Sequence, residues 1–69
     1  MIEIVLFDYC SNKILRKIEL PYIPRANEVL ADVTRQEEIH VKNVNYNIKN
    51  DRLEEIYLVI EVHKNPFSN

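Results

Sequence analysis

Apolar and polar residues alternate along most of this chain, with the period of two that gives a β-strand two different faces. The clearest run covers residues 54–64. Its predicted inward set is Ile56, Leu58, Ile60 and Val62, and its outward set is Glu55, Tyr57, Val59, Glu61 and His63. Residues 1–9 and 14–20 flank a Cys-Ser-Asn turn and predict a β-hairpin, in which Asn12 can take the positive φ that glycine usually supplies.

The second strand of this hairpin has one feature that its alternation does not explain. Ile14, Ile18 and Leu20 are predicted to share one face, and Arg16 falls in the same phase. A charged residue in an apolar phase is rarely buried without a partner. Arg16 therefore indicates that the mouth of a barrel, or an interface, lies nearby.

The alternation slips by one position at Lys42-Asn43. Apolar residues fall at 39 and 41, and then at 44, 46 and 48. A strand absorbs one extra residue as a β-bulge, which bends the strand and increases its twist. Such bends curl short antiparallel sheets into small barrels. The slip therefore predicts a bent strand.

Residues 27–36 fit two structures. Asn27 can cap a short helix with Val29, Leu30 and Val33 on one face, which would make the fold α+β. The alternation of Val29, Ala31 and Val33 instead fits a strand over 28–33. We favour the strand, because the neighbouring strands need a partner of similar length.

These patterns predict an all-β fold, a single small SH3-like five-stranded antiparallel barrel. The predicted strands lie near 1–9, 13–20, 28–33, 38–48 and 54–64. The domain covers 1–65, and residues 66–69 form a C-terminal tail. Pro21 and Pro24 stiffen the connection that leaves the hairpin, because neither can donate a backbone hydrogen bond.

The composition argues against catalysis and against a bound metal or cofactor. Cys10 is the only cysteine, and the two histidines form no His-x-x-x-His pair. Glycine is absent, although phosphate-binding loops depend on it. Adjacent acids such as Glu54-Glu55 point to opposite faces of a strand and do not converge. We therefore predict a protein that is not an enzyme and holds no cofactor.

Charge and hydropathy bear on the partner and the compartment. Nine basic residues face eleven acidic ones, for a net charge of −2, and no basic block is present. Nucleic acid is therefore a less favoured partner. No apolar run is long enough to span a bilayer. The single thiol and the absence of a basic leader favour a cytoplasmic protein.

Two segments resemble a known pattern: Leu20-Pro21-Tyr22-Ile23-Pro24-Arg25-Ala26-Asn27-Glu28-Val29 and Ile39-His40-Val41-Lys42-Asn43-Val44-Asn45-Tyr46. They are similar to small uncharacterised bacterial and phage proteins that resemble SH3-like barrels. In those proteins a Pro-Arg-x-Gly-Asp/Glu turn leads into a strand, and a Val-Lys-x-Val strand follows. Asn27 stands in place of the glycine. The resemblance covers about half the chain and implies a strand at 28–33, but no particular activity.

Exposed aromatic and charged side chains are the candidates for a partner-binding surface: Tyr22, Arg25, Tyr57 and His63. The leading hypothesis is a small non-enzymatic protein-interaction module. One form of it is a phage or mobile-element accessory protein that binds and modulates a host protein.

Two alternatives remain open. One is a nucleic-acid-binding barrel that uses Lys42, Lys49, Arg52 and Lys64. The other is a structural subunit that associates with itself, for example as a homodimer, because a chain of 69 residues has only a small core of its own.

Overall fold

A computed structural model describes residues 1–64 of the chain, and these residues contain five β-strands and no helix. The strands are β1 (Ile2–Asp8), β2 (Lys13–Leu20), β3 (Val29–Asp32), β4 (Glu37–Lys49) and β5 (Arg52–Lys64). The predicted all-β class is confirmed. The alternative helix at 27–36 is wrong, because these residues form β3 and the turn after it. The predicted tail at 66–69 lies outside the described residues.

All five strands form one curled sheet, a half-barrel, in the order β2-β1-β5-β4-β3. Three neighbouring pairs are antiparallel, but β1 and β5 run parallel, which differs from the fully antiparallel sheet that the sequence predicts. The chain first forms the β1–β2 hairpin and then the antiparallel unit of β3, β4 and β5. These two units join through β1 and β5. Alternation reports the faces of a strand and not the direction of its neighbour, so the parallel pair was not visible in the sequence.

The concave face of the sheet carries the core. Its buried cluster contains Ile4, Leu6, Ile39, Val41, Ile56, Leu58 and Ile60, none of them more than 5% exposed. The predicted inward set of β5 is confirmed, since Val62 also packs against this cluster. The prediction that Ile14 shares a face with Ile18 and Leu20 is wrong. Leu15 is an extra residue that shifts the β1–β2 register, so Ile14 lies opposite Phe7 on the convex face, 57% exposed.

The predicted bulge in β4 is confirmed. Val41 pairs with Ile60 and Asn43 pairs with Val59, which leaves Lys42 as the extra residue. The Lys42 ammonium lies 3.7 Å from a carboxylate oxygen of Glu61 on the convex face. The bulge therefore keeps the apolar residues before and after it on the concave side while it bends the strand.

The turns replace glycine with other residues at positive φ: Asn12, Asn27, Gln36, Asn50 and Asp51. Asn50 and Asp51 form the two-residue β4–β5 turn, and positive φ at both positions is typical of a type I′ turn. The β1–β2 and β3–β4 turns share a different hydrogen-bond arrangement. Each follows an aspartate that accepts the backbone N–H three residues later, at 3.0 Å: Asp8 from Ser11, and Asp32 from Arg35.

Candidate functional site: the open seam between β2 and β3

The two outer strands of the sheet, β2 and β3, face each other across a gap that we call the seam. No Cα atom of β2 lies within 8 Å of a Cα atom of β3, so the two strand edges do not pair. A groove of about 340 Å³ occupies the gap. Its lining residues are Arg16, Ile18, Leu20, Leu30, Ala31, Asp32, Val33 and Ile39.

The floor of the seam is apolar because β2, β3 and β4 each direct the apolar residues of their alternating pattern to this side of the sheet. Ile18 and Leu20 come from β2, and Leu30 of β3 pairs with Ile39 of β4. Ile18, Leu20 and Leu30 are only partly buried, although they pack against the core. Apolar area on these side chains therefore stays open to solvent inside the groove.

One ion pair crosses the seam at its polar end. A guanidinium nitrogen of Arg16 lies 2.9 Å from a carboxylate oxygen of Asp32, and the two side chains are 23% and 16% exposed. Arg35 reaches the same oxygen at 3.4 Å. The Arg35 backbone N–H, and then the guanidinium groups of Arg35 and Arg16, hold the pKa of Asp32 below its ordinary value against an opposing effect of burial. The seam thus has an apolar length and one charged end.

A second cavity, of about 590 Å³, adjoins that charged end near the turns at 9–12 and 33–36. Its lining contains three basic and two acidic side chains among its eight residues: Asp8, Cys10, Leu15, Arg16, Arg35, Glu37, Val62 and Lys64. Lys64 and Glu37 form an ion pair of 3.2 Å. Among residues 1–64, no three His, Cys, Asp or Glu side chains are grouped so that they could hold a metal ion. All three basic side chains of this cavity are ion-paired, Arg16 and Arg35 with Asp32 and Lys64 with Glu37.

Tyr57 and His63 share the convex face, six residues apart on β5, which is about 20 Å of strand. Tyr57 is half-buried and donates a hydrogen bond of 3.3 Å to Glu55, and burial followed by this carboxylate raises its pKa. The His63 ring lies 4.3 Å from that of His40, and its Nε2 is 2.5 Å from Glu61. The two side chains therefore belong to different local environments.

Tyr22 and Arg25 lie on the connection between β2 and β3, at the end of the sheet away from the charged end of the seam. Tyr22 is 48% exposed, and the Arg25 backbone N–H donates to the Glu28 carboxylate at 2.8 Å. The structure does not bring the four predicted residues onto one surface. A role for any of them in binding stays a prediction.

The four basic residues of the nucleic-acid hypothesis are also dispersed. Lys42 and Lys64 are paired with Glu61 and Glu37. Lys49 and Arg52 lie at the turn of the β4–β5 hairpin, the outermost part of a molecule 47 Å long. No common basic surface results among the described residues.

The outer half of the β4–β5 hairpin forms a two-stranded arm with an apolar face. Tyr46, Ile48 and Leu53 on this face are 52%, 69% and 56% exposed. Ile48 pairs with Leu53, so the two side chains lie side by side. Nothing in the described chain covers them.

No family model matches the chain, and no curated protein or solved structure resembles it closely enough to count as a match. The resemblance to SH3-like barrels therefore stays a prediction. None of the described residues belongs to a helix that could cross a lipid bilayer.

Asp32→Asn is expected to destabilise the protein more than Asp8→Asn at neutral pH. Asparagine keeps an acceptor oxygen for the turn N–H in both variants, but only Asp32 also pairs with Arg16. The pKa of Asp32 is lower in the folded protein than its ordinary value of 3.8 in the unfolded chain. Its carboxylate therefore stabilises the fold at pH values above 3.8, and this contribution is lost as the pH falls through the folded pKa. The difference between wild type and Asp32→Asn should therefore shrink below about pH 4. Urea denaturation across this range measures it. Equal effects of the two variants at neutral pH would contradict a stabilising ion pair across the seam.

Proposed function

We propose that this protein is a non-enzymatic protein-interaction module whose seam takes up an extended segment of a partner protein. One observation carries the proposal: two unpaired strand edges face each other across a groove with an apolar floor. A free edge offers a row of backbone N–H and C=O groups to any extended chain. The groove adds pockets for alternate side chains, and this combination is how sheet edges recognise peptides.

The burial pattern favours the seam, and not the convex face, as the binding surface. Tyr57, the most central aromatic of the convex face, is half-buried and already hydrogen-bonded to Glu55. At the seam, Val33 is 84% exposed beside an apolar floor. Covering such a groove gains about 25 cal/mol for each Å² of apolar surface removed from water.

The predicted resemblance of residues 20–29 and 39–46 to small bacterial and phage proteins suggests a narrower form of the proposal. In this form the protein is an accessory protein of a phage or mobile element that acts in the cytoplasm on a host protein. The partner then supplies the extended segment, and binding at the seam is the means by which the accessory protein modulates it.

The test is a selection of extended peptides from a random display library against the immobilised protein. Synthetic versions of the selected peptides are then titrated against three variants. Leu30→Glu and Val33→Glu place a charge in the seam, whereas Val29→Glu, one residue from Leu30, places the same charge outside it. We expect at least a tenfold loss of affinity, about 1.4 kcal/mol, for the two seam variants and little change for Val29→Glu.

Val33 and Val29 are both more than half exposed, so these two variants test binding without a large effect on folding. The proposal fails if the library yields no binding peptide. It also fails if the selected peptides bind Val33→Glu as tightly as they bind wild type.

A further inference from the structure

We infer that the bound segment enters the seam as a single strand that pairs with β2 on one side and with β3 on the other, and so closes a six-stranded barrel. This inference rests on the proposed function and adds the mode of binding and the chemistry of the segment. Pairing with one edge alone would leave the other edge of the seam open. The geometry of the gap favours pairing with both.

The width of the seam fits one strand. Neighbouring strands lie about 4.8 Å apart, so one inserted strand needs about 9.6 Å between its neighbours and two need about 14 Å. The Cα atoms of β2 and β3 are more than 8 Å apart throughout. From Cα to the terminal atoms, arginine spans at most about 7 Å and aspartate about 3.5 Å. With a contact of 2.9 Å, the Cα atoms of Arg16 and Asp32 therefore lie within about 13 Å of each other, which sets the width of the seam at its charged end.

The occupant must be a segment with two free edges. Each of the five described strands is already paired with at least one neighbour in its own sheet. A strand of a second folded copy could therefore offer only one edge to the seam, because its other edge is occupied. We accordingly assign the seam to an extended, otherwise unpaired segment of a partner protein, not to a second copy of this sheet.

The strand directions set the orientation of the segment. β2 runs opposite to β1, whereas β3 runs in the same direction as β1, so β2 and β3 are antiparallel to each other. An inserted strand is then antiparallel to one and parallel to the other. β2 is the longer edge, with eight residues against four, and antiparallel ladders are slightly more stable. The segment therefore runs antiparallel to β2, towards the charged end of the seam.

The floor of the seam sets the side chains of the segment. Leu20, Ile18 and Leu30 precede the charged end in the direction in which the segment runs, and Arg16 and Asp32 follow. Alternate residues of a strand face the floor. The segment is therefore expected to carry two apolar residues two positions apart, and then a polar residue two positions further on. Proline is excluded from these positions, because it lacks the N–H that either edge would accept.

N-methylation of the peptide backbone tests the two-sided pairing. Successive N–H groups of a strand point to opposite edges. The probe is a peptide from the display selection, methylated at one of its four central nitrogens at a time and titrated against the full-length protein. If both edges pair, all four methylated peptides should bind at least tenfold more weakly. If only one edge pairs, alternate positions should tolerate the methyl group.

Each outcome of this scan separates the inference from the proposed function. Tolerance at alternate positions overturns two-sided pairing and leaves a peptide-binding module intact, whereas a selection without binders removes both.

Amide hydrogen exchange supplies a second measurement. The peptide should slow exchange on β2 and on β3 together. Slow exchange on both edges in the free monomer would mean that the chain fills its own seam, and slow exchange only at high protein concentration would mean that a second copy does. Either result overturns the inference.

Discussion

Replacing Leu58 by alanine is expected to remove most of the free energy of unfolding. Leu58 is fully buried, on the strand that lies between β1 and β4, where it pairs with Leu6 on one side and Val44 on the other. Truncation of a buried leucine to alanine costs about 2–5 kcal/mol. A chain of 69 residues is stabilised by only about 3–10 kcal/mol in total. Urea denaturation followed by circular dichroism measures the loss.

The same strand offers a matched control for this substitution. Leu53 is 56% exposed on the apolar face of the two-stranded arm, so Leu53→Ala is expected to cost less than about 1 kcal/mol. Equal losses in the two variants would contradict the placement of the core under the centre of the sheet. They would show that the arm is covered in solution.

The strands could be predicted from the sequence because burial of one face of a sheet requires apolar residues at every second position of a strand. The predicted strand at 13–20 agrees with β2, and the predicted bulge at Lys42 agrees with β4. That bulge was visible because apolar residues flank it in two clear phases. The bulge at Leu15 was not visible, because Ile14 and Leu15 are both apolar and either can be assigned to the concave face.

The order of the strands could not be predicted in the same way. Apolar residues occupy both alternating phases of β1, with Ile4 and Leu6 in one and Val5 and Phe7 in the other. This pattern fits a central strand but does not identify the neighbours. The parallel pairing of β1 with β5 depends on how the β1–β2 hairpin docks on the rest of the sheet. Such long-range pairing is set by the packing of the whole core and not by any local signal.

The candidate site depended on this order, so most of it also lay beyond sequence reasoning. The seam exists because β2 and β3 are the two edges of the sheet and stay apart when it curls. One signal was present. Arg16 occurs in the apolar phase of β2, and its partner Asp32 lies sixteen residues away on the other edge. The aromatic residues were predicted to bind a partner from their side-chain chemistry alone, whereas the seam is defined by the space between two strands.

Deletion of His40 is expected to be far more damaging than deletion of Lys42, although the two residues are only two positions apart on β4. Without Lys42, the pairs of Val41 with Ile60 and of Asn43 with Val59 become consecutive, and every apolar residue of the strand keeps its face. Without His40, Ile39 and Val41 become neighbours, so one of them must leave the concave face. Both are at most 4% exposed, and the lost burial costs about 1.5–3 kcal/mol before any disturbance of β3.

Thermal and urea unfolding of the two deletion variants measure this difference directly. Deletion of Lys42 should give a folded protein in which β4 is straighter, because the bulge that bends it is gone. The seam should then widen, and the variant should bind the selected peptides more weakly while it remains folded. Deletion of His40 should lower the unfolding midpoint sharply or abolish the transition. If the two deletions were equally destabilising, the facing of apolar side chains would not be what fixes the register of β4, and the bulge itself would be required for folding.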